Sequence, residues 1–242
     1  MIPLTPELAE LCGIIAGDGH LSRYISPRRT DYRIEIVGNK EEDIAYFDHI
    51  NSLFFRLFGK RLTFKQGNGC ARLYIHSKEI LSFIESLGIP VGKKSDIVKI
   101  PPIFLQDMPL TCHFIRGLAD TDFSITFKKG GRKNNSYPRI VGEFASHPLY
   151  ADLIAVFDKL GLVYFSHTRL STSHFGTFTH YCIELNGRKN LKQWMKCIGF
   201  SNPKHLSKIA LWQKQGFCQP KTTHRERMKI IEGMSEVVPI PS

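Results

Sequence analysis

Two apolar stretches of this chain are copies of one another: Leu11-Cys12-Gly13-Ile14-Ile15-Ala16-Gly17-Asp18-Gly19 and Ile115-Arg116-Gly117-Leu118-Ala119-Asp120-Thr121-Asp122-Phe123. Gly13 aligns with Gly117, and Asp18 with Asp122. Each copy reads as a short apolar helix with an internal glycine and an aspartate at its carboxyl end. Locally that is a poor choice. A glycine inside a helix costs about 1 kcal/mol against alanine, and a carboxylate at the C-terminus faces the negative end of the helix dipole. Both choices make sense if the two helices pack together. Glycine removes the Cβ that keeps backbones apart, and Gly13 and Gly17 offer two approach points a turn apart. Helices lying side by side in one direction bring Asp18 and Asp122 together at their ends. Two carboxylates and two sets of free helix carbonyls repel unless a cation sits between them. An all-oxygen donor set suits a hard divalent ion, Mg²⁺ before others. The expectation is a metal site on a pseudo-twofold axis.

The elements after each copy also repeat. Thr5-Pro6-Glu7 opens the first helix with a hydroxyl N-cap, a proline at the first helical position and an acid in the first turn. Leu8, Leu11, Ile14 and Ile15 form its apolar faces, and Gly19 is its expected stop. Strands follow at 20–25 and 32–37 around the basic turn Pro27-Arg28-Arg29. Alternation puts Leu21, Ile25, Ile34 and Ile36 inside and His20, Ser22, Tyr24, Arg33, Glu35 and Val37 outside. The unit is completed by a helix at 41–58, a hairpin of 61–66 and 71–76 around Gly67-Asn68-Gly69, and a helix opened by Ser77 and closed by Gly88. Arg61, Thr63, Lys65, Arg72, Tyr74 and His76 point outward from that hairpin.

Ile100-Pro101-Pro102 then breaks the chain, and the order recurs. Asp107 or Thr111 caps the second copy. Strands at 124–128 and 139–144 flank a basic loop, a helix at 148–160 ends at Gly161, and strands at 162–170 and 177–185 precede a helix capped by Asn186. Outward positions are Ser124, Thr126, Lys128, Arg139, Val141, Glu143, His167, Arg169, His180 and Glu184. Residues 201–217 read as one more helix. The fold class is α+β, with two pseudo-symmetric αββαββα halves at 1–100 and 108–220, a linker at 101–107, and a basic, partly flexible tail at 221–242.

Thirty-three Lys and Arg against 22 Asp and Glu give a formal charge of +11 and a pI near 9.4, which points to a polyanionic partner. The six cysteines have no zinc spacing, and Cys12 and Cys112 sit in apolar helical runs. They read as reduced thiols of an intracellular protein. No apolar run reaches the roughly 18 residues of a membrane span, and the first residues are no signal peptide. The expectation is a soluble monomer of the cytoplasm, nucleoid or an organelle that starts directly into its fold.

Both stretches resemble the signature of the LAGLIDADG homing endonucleases in their single-chain, two-motif form. The second copy keeps Gly117, Leu118, Asp120 and Asp122 of the nine-residue pattern; the first keeps Leu11, Gly13, Asp18 and Gly19. Ala16 replaces the inner acid of the first copy, and Phe123 the final glycine of the second. The resemblance implies a sequence-specific, double-strand DNA endonuclease. It implies two or three Mg²⁺ ions, with Mn²⁺ able to substitute, held by Asp18, Asp122 and the carbonyls of Gly17 and Thr121. Both strands would be cut across the minor groove. Family members place basic or amide side chains around the acids to order water and steady phosphates; Lys40 with Asn39, Lys94 and Lys204 are the candidates here. Gly13 and Gly117 become helix-interface contacts, and Asp120 reads as a structural acid.

The two antiparallel sheets would form one DNA-binding saddle, since strands can enter a major groove. Its readers are the outward residues given above, with Arg28 and Arg29, and its site is long and loosely palindromic. A start at Met1 without protein-splicing ends leans towards a free-standing or intron-encoded enzyme. The alternative is an intron-splicing maturase or a non-cleaving binder on the same scaffold, with intron RNA as a partner. Retention of both final acids favours cleavage, because a pure binder has no use for converging carboxylates that repel phosphate.

Overall fold

The computed structural model describes residues 2–27, 29–131, 134–174 and 176–233. Arg28, residues 132–133 of the basic loop and the last part of the tail lie outside the described residues. The first half runs α1 (Pro6–Ala16), β1 (Gly19–Ile25), β2 (Thr30–Asn39), α2 (Ile44–Phe58), β3 (Thr63–Gln66), β4 (Cys70–His76) and α3 (Lys78–Ser86). After α4 (Pro102–Leu105) the second half repeats it as α5 (Met108–Asp122), β5 (Phe123–Lys128), β6 (Tyr137–Phe144), α6 (His147–Lys159), β7 (Phe165–Ser173), β8 (Gly176–Asn186) and α7 (Arg188–Cys197). Helices α8 (Pro203–Gln215) and α9 (His224–Ile231) follow. The sheets are antiparallel and have the same order, β1-β2-β4-β3 and β5-β6-β8-β7. Among the described residues, no helix is long and apolar enough to cross a membrane.

Helices α1 and α5 form the joint between the halves. Every residue of α1 from Leu8 to Ala16 is buried, as expected of a helix that is apolar on most of its circumference. A Cβ on Gly13 would lie 1.9 Å from the Phe114 carbonyl oxygen, and one on Gly117 would lie 2.0 Å from that of Glu10. The contacts are reciprocal, so each glycine is fitted against the partner backbone. Leu21, Ile34, Ile36 and Leu73 line the inner face of one sheet, and Ile125, Ile140, Ile183 and Leu185 that of the other; all are buried. Phe123, where the signature has glycine, packs its ring among Phe144, Phe157 and Trp194. The aromatic fills the core at the start of β5.

Several local expectations change. Ile25 is 72% exposed, because it pairs with Thr30 at the hairpin end, beyond the helices that cover Leu21. Gly19 begins β1, and α1 stops earlier, at Gly17. Asn186 ends β8 instead of capping α7; Gly187, with φ of 91°, takes the cap position. Asp107 caps α5 by accepting from the Leu110 N–H, and Thr111 instead donates its hydroxyl to the Phe104 and Asp107 carbonyls. The proline segment forms α4, with Phe104 buried. Within the tail, a Thr223/Glu226 capping box opens α9, whose Arg227 is fully buried.

Candidate metal and nucleic-acid site

Asp18 and Asp122 stand at the ends of the two joined helices. Gly17 brings those ends together: a Cβ there would come 2.0 Å from the Thr121 hydroxyl and 2.9 Å from Asp122 Oδ1. Asp18 is exposed and Asp122 half-buried. Crowding by protein atoms pushes the Asp122 carboxyl up to about 7, the nearby Asp18 carboxylate adds to the rise, and Lys94 opposes it. Asp18, although its surface is open to solvent, is also raised, first by the loss of hydration among the surrounding protein atoms and then by Asp43, against the pull of Lys204 and Lys94. Each acid thus resists ionisation partly because of a neighbouring acid, a conflict that a cation relieves.

Lys94, in the loop after α3, reaches the carboxyl end of α1. Its Nζ donates to the carbonyls of Ile15 at 2.5 Å, Ala16 at 2.7 Å and Gly17 at 2.6 Å. An ammonium there offsets the negative end of the helix dipole. Burial lowers Lys94 to about 8, although Asp122 and Asp18 favour its charge. The Gly17 carbonyl is therefore engaged by Lys94; a carbonyl oxygen has a second lone pair for another partner.

The second helix ends differently. Asp120, 1% exposed, accepts from the Ser201 and Asn202 N–H groups and the Tyr46 hydroxyl. Burial pushes it to about 7 in spite of those donors. The Asn202 amide donates to the Asp120 carbonyl at 3.1 Å and to Asp43 at 3.0 Å. Lys204 forms an ion pair with Asp43 at 2.9 Å. Burial opposes ionisation of Asp43, but Lys204 and Asn202 hold its pKa below the usual carboxylate value. A cavity of about 10 Å³ lies among Asp18, Asp43, Tyr46, Asp120, Thr121 and Asn202, room for a single water. On the Asp122 side, a groove of about 230 Å³ is lined by Gly17, Lys94, Ser95, Asp122, Glu143 and Ser146 among others.

Three of these participants carry no motif in the sequence. Asp43 and Asn202 are helix N-cap residues, and their only sequence signal is a short polar residue before a helix. Arg227 comes from outside both repeats. It donates to Ser207 at 2.9 Å, Glu42 at 2.8 Å and the Lys204 carbonyl at 3.3 Å, tying the turn before α2 to α8. Lys94 and Lys204 come to the aspartates, whereas Lys40 sits exposed on the turn after β2. Asn39 uses its side chain to accept from the N–H groups of Glu41 and Glu42.

The outward sheet residues fall into rows. His20, Glu35, Tyr74 and Thr63 cross the first sheet in one row; Ser22, Arg33 and His76 form the next, Val37, Arg72 and Lys65 another, and Tyr24 pairs with Asp31. In the second sheet the rows are Ser124, Val141, Glu184 and Phe165; Thr126, Arg139 and Asn186; and Glu143, Cys182 and His167. Lys128 pairs with Tyr137, and Arg169 with His180. Arg29 closes the first hairpin through its carbonyl. Arg61 lies before β3, with its guanidinium over the Phe55 ring of α2. Among the described residues, no three His, Cys, Asp or Glu side chains gather as a metal cluster.

No family profile matches the chain. Among curated proteins, the replication factor C small subunit of Methanocaldococcus jannaschii is 27% identical over 205 residues, which is 84% of this chain and 10% of that protein. The chain therefore spans about a tenth of that relative's length. Similar solved structures include I-DmoI in complex with DNA and Mn, at 20% identity and TM-score 0.59, covering 81% of this chain and 98% of that one. The LAGLIDADG homing endonuclease I-GzeII in complex with its DNA target matches at 10% identity and TM-score 0.57, over 88% and 89% of the two chains. The meganuclease I-SmaMI bound to uncleaveable DNA matches at 12% identity and TM-score 0.53, over 94% and 97%. This chain has the fold of the LAGLIDADG homing endonucleases in their single-chain, two-repeat form.

Proposed function

We propose that the chain is a site-specific DNA endonuclease that hydrolyses phosphodiesters in both strands of a long, pseudo-palindromic site with Mg²⁺. The observation that carries this reading is the convergence of Asp18 and Asp122 at the ends of two glycine-joined helices, with Lys94 and Lys204 beside them. The all-oxygen donors fit a hard divalent ion, which Asp18 and Asp122 would hold, with the Gly17 and Thr121 carbonyls as further donors. Bound there, such an ion supplies charge neutralisation of the phosphate and an acidified water. The mutual opposition of the two acids supports that fit, and I-DmoI has been solved with Mn and with Ca.

The side chains of this protein do the rest. Lys94 draws Asp18 and Asp122 towards their ionised forms, and with its three N–H groups on the α1 carbonyls it would act on a phosphate in the groove beside Asp122 through its charge. Lys204, fixed by Asp43, does the same for Asp18. Lys40, exposed on the turn after β2, would meet a backbone phosphate. The outward sheet residues bind the duplex on either side of the acids.

The test is cleavage of a randomised duplex library in Mg²⁺, beside Ca²⁺ and beside Asp18→Asn and Asp122→Asn. One long site cut in both strands is expected, with either substitution abolishing cutting while binding survives. A wild type that selects a site yet fails to cut it under every divalent ion tried rejects the reading.

A further inference from the structure

The two sheets differ in most of their outward residues, and the exception is informative. Gly19 pairs with Ile36 and Phe123 with Gly142, so the same step along β2 and β6 leads to Arg33 and Arg139. The surrounding equivalent pairs are Glu35 and Val141, Val37 and Glu143, Tyr74 and Glu184, Arg72 and Cys182, and His76 and Asn186. Arginine is retained where its neighbours have diverged. Its cross-strand partner also keeps its chemistry, a hydroxyl in each case: Ser22 opposite Arg33 and Thr126 opposite Arg139.

Each arginine also has a carboxylate in the adjacent row, supplied from exchanged strands. Glu35, on the same strand, accepts from Arg33 at 2.8 Å, and the guanidinium lies 4.9 Å from the Tyr74 ring centre. In the second half the equivalent of Glu35 is Val141, and the acid comes from the Tyr74 position on β8. There Glu184 accepts from Arg139 Nε at 2.9 Å and also from its Nη2. The glutamates are the more enclosed partners, 13% and 15% exposed against 32% and 21% for the arginines. They act as props behind the guanidiniums.

A propped arginine suits one kind of contact. A carboxylate next to the guanidinium repels a phosphate, so this arrangement is unsuited to gripping the backbone. A guanine edge carries no net charge and offers O6 and N7 as paired acceptors to a planar, oriented fork. Holding the side chain beforehand also reduces the entropy lost on binding. Resting on the endonuclease reading, we propose that Arg33 and Arg139 are base readers, each specifying a guanine, at positions equidistant from the centre of the target and on opposite strands. The two guanines form a symmetric element within a site that is only loosely palindromic.

The experiment is selection from a randomised duplex library in Ca²⁺, sequencing the bound fraction for wild type, Arg33→Ala, Arg139→Ala and Arg139→Lys. Wild type should enrich guanine at two symmetry-related positions. Arg33→Ala should relax one by roughly tenfold to a hundredfold and Arg139→Ala the other, leaving the remaining profile intact. Arg139→Lys keeps the charge and should still lose the guanine. Glu184→Gln should blur the same position as Arg139→Ala. Uniform weakening on all sequences, with a salt slope reduced by about one, would make these arginines phosphate contacts and overturn the assignment. So would guanine positions that are not symmetric. A wild type that selects a site without those guanines refutes this inference alone; one that enriches no sequence refutes the endonuclease reading with it.

Discussion

The ends of α1 and α5 sit on the same pseudo-twofold axis and are built differently. At α1 a single ammonium, Lys94, gathers three carbonyls. At α5 the signature acid Asp120 turns inward and is held by two backbone N–H groups and Tyr46, while Asn202 takes a carbonyl. Where the first copy has Ala16 there is no acid to hold, and a cation performs the capping. Asp122 consequently has Asp18 and Lys94 as its main charged neighbours, whereas Asp18 also faces the cross-half pair Asp43–Lys204. Duplication fixes where the backbone goes; the charges on it have since diverged.

Removing the two lysines tests that contrast most sharply. Lys94→Met strips one charged donor from three carbonyls and should cost about 3 kcal/mol, measured by urea unfolding, together with most of the cutting. Lys204→Met leaves Asp43 with Asn202 and the Asn39 N–H as donors, so its stability cost should be about 1 kcal/mol. Equal losses would mean that the two ends are held alike. Asp120→Ala falls between the two, at about 2 kcal/mol, because it leaves the Ser201 and Asn202 N–H groups unpartnered in a buried place.

The smallest expected effect is on pH dependence. Asp122 has a folded-state value of about 7 against 3.8 for the free side chain, so the folded protein holds that proton more tightly. Its contribution favours folding at low pH and disappears as pH rises from about 4 through about 7. Asp120 acts in the same direction. Without divalent ions, thermal stability should fall over that window. Asp122→Asn should flatten part of the slope and raise Tm at pH 8 by about 2–4 °C, the equivalent of about 1 kcal/mol for a chain this size. Asp18→Asn, at the more exposed acid, should move Tm less; an equal rise would remove the distinction between the two carboxylates. Adding Mg²⁺ should raise the Tm of wild type and not of the double Asn variant.

Much of the architecture was legible because it is periodic or repeated. The glycine-aspartate stretches, the strand alternation around Leu21, Ile34 and Ile36, and the matching order of elements are all local or duplicated patterns. Errors fell where such patterns run out. Ile25 obeys the alternation but extends past the covering helices, and Asn186 looks like a cap but completes a ladder with Arg139. Lys94 and Lys204 could be suggested as basic residues shortly after the α3 and α7 helices, yet nothing in their spacing told that one would cap a helix and the other pair with Asp43. Arg227 carried no signal beyond a basic tail; its burial appears only once Glu42 and Ser207 are brought to it.

By itself the sequence determined that two helices must meet glycine to backbone and present two acids at their ends. Only so close an approach compensates for an interior glycine and a badly placed carboxylate. The tertiary structure decided what surrounds those acids. Lys94 lies 77 residues from Gly17 in the chain, and Asn202 lies 82 from Asp120. Contacts at such separations follow from how the loops close over the packed helices, and no local periodicity records them.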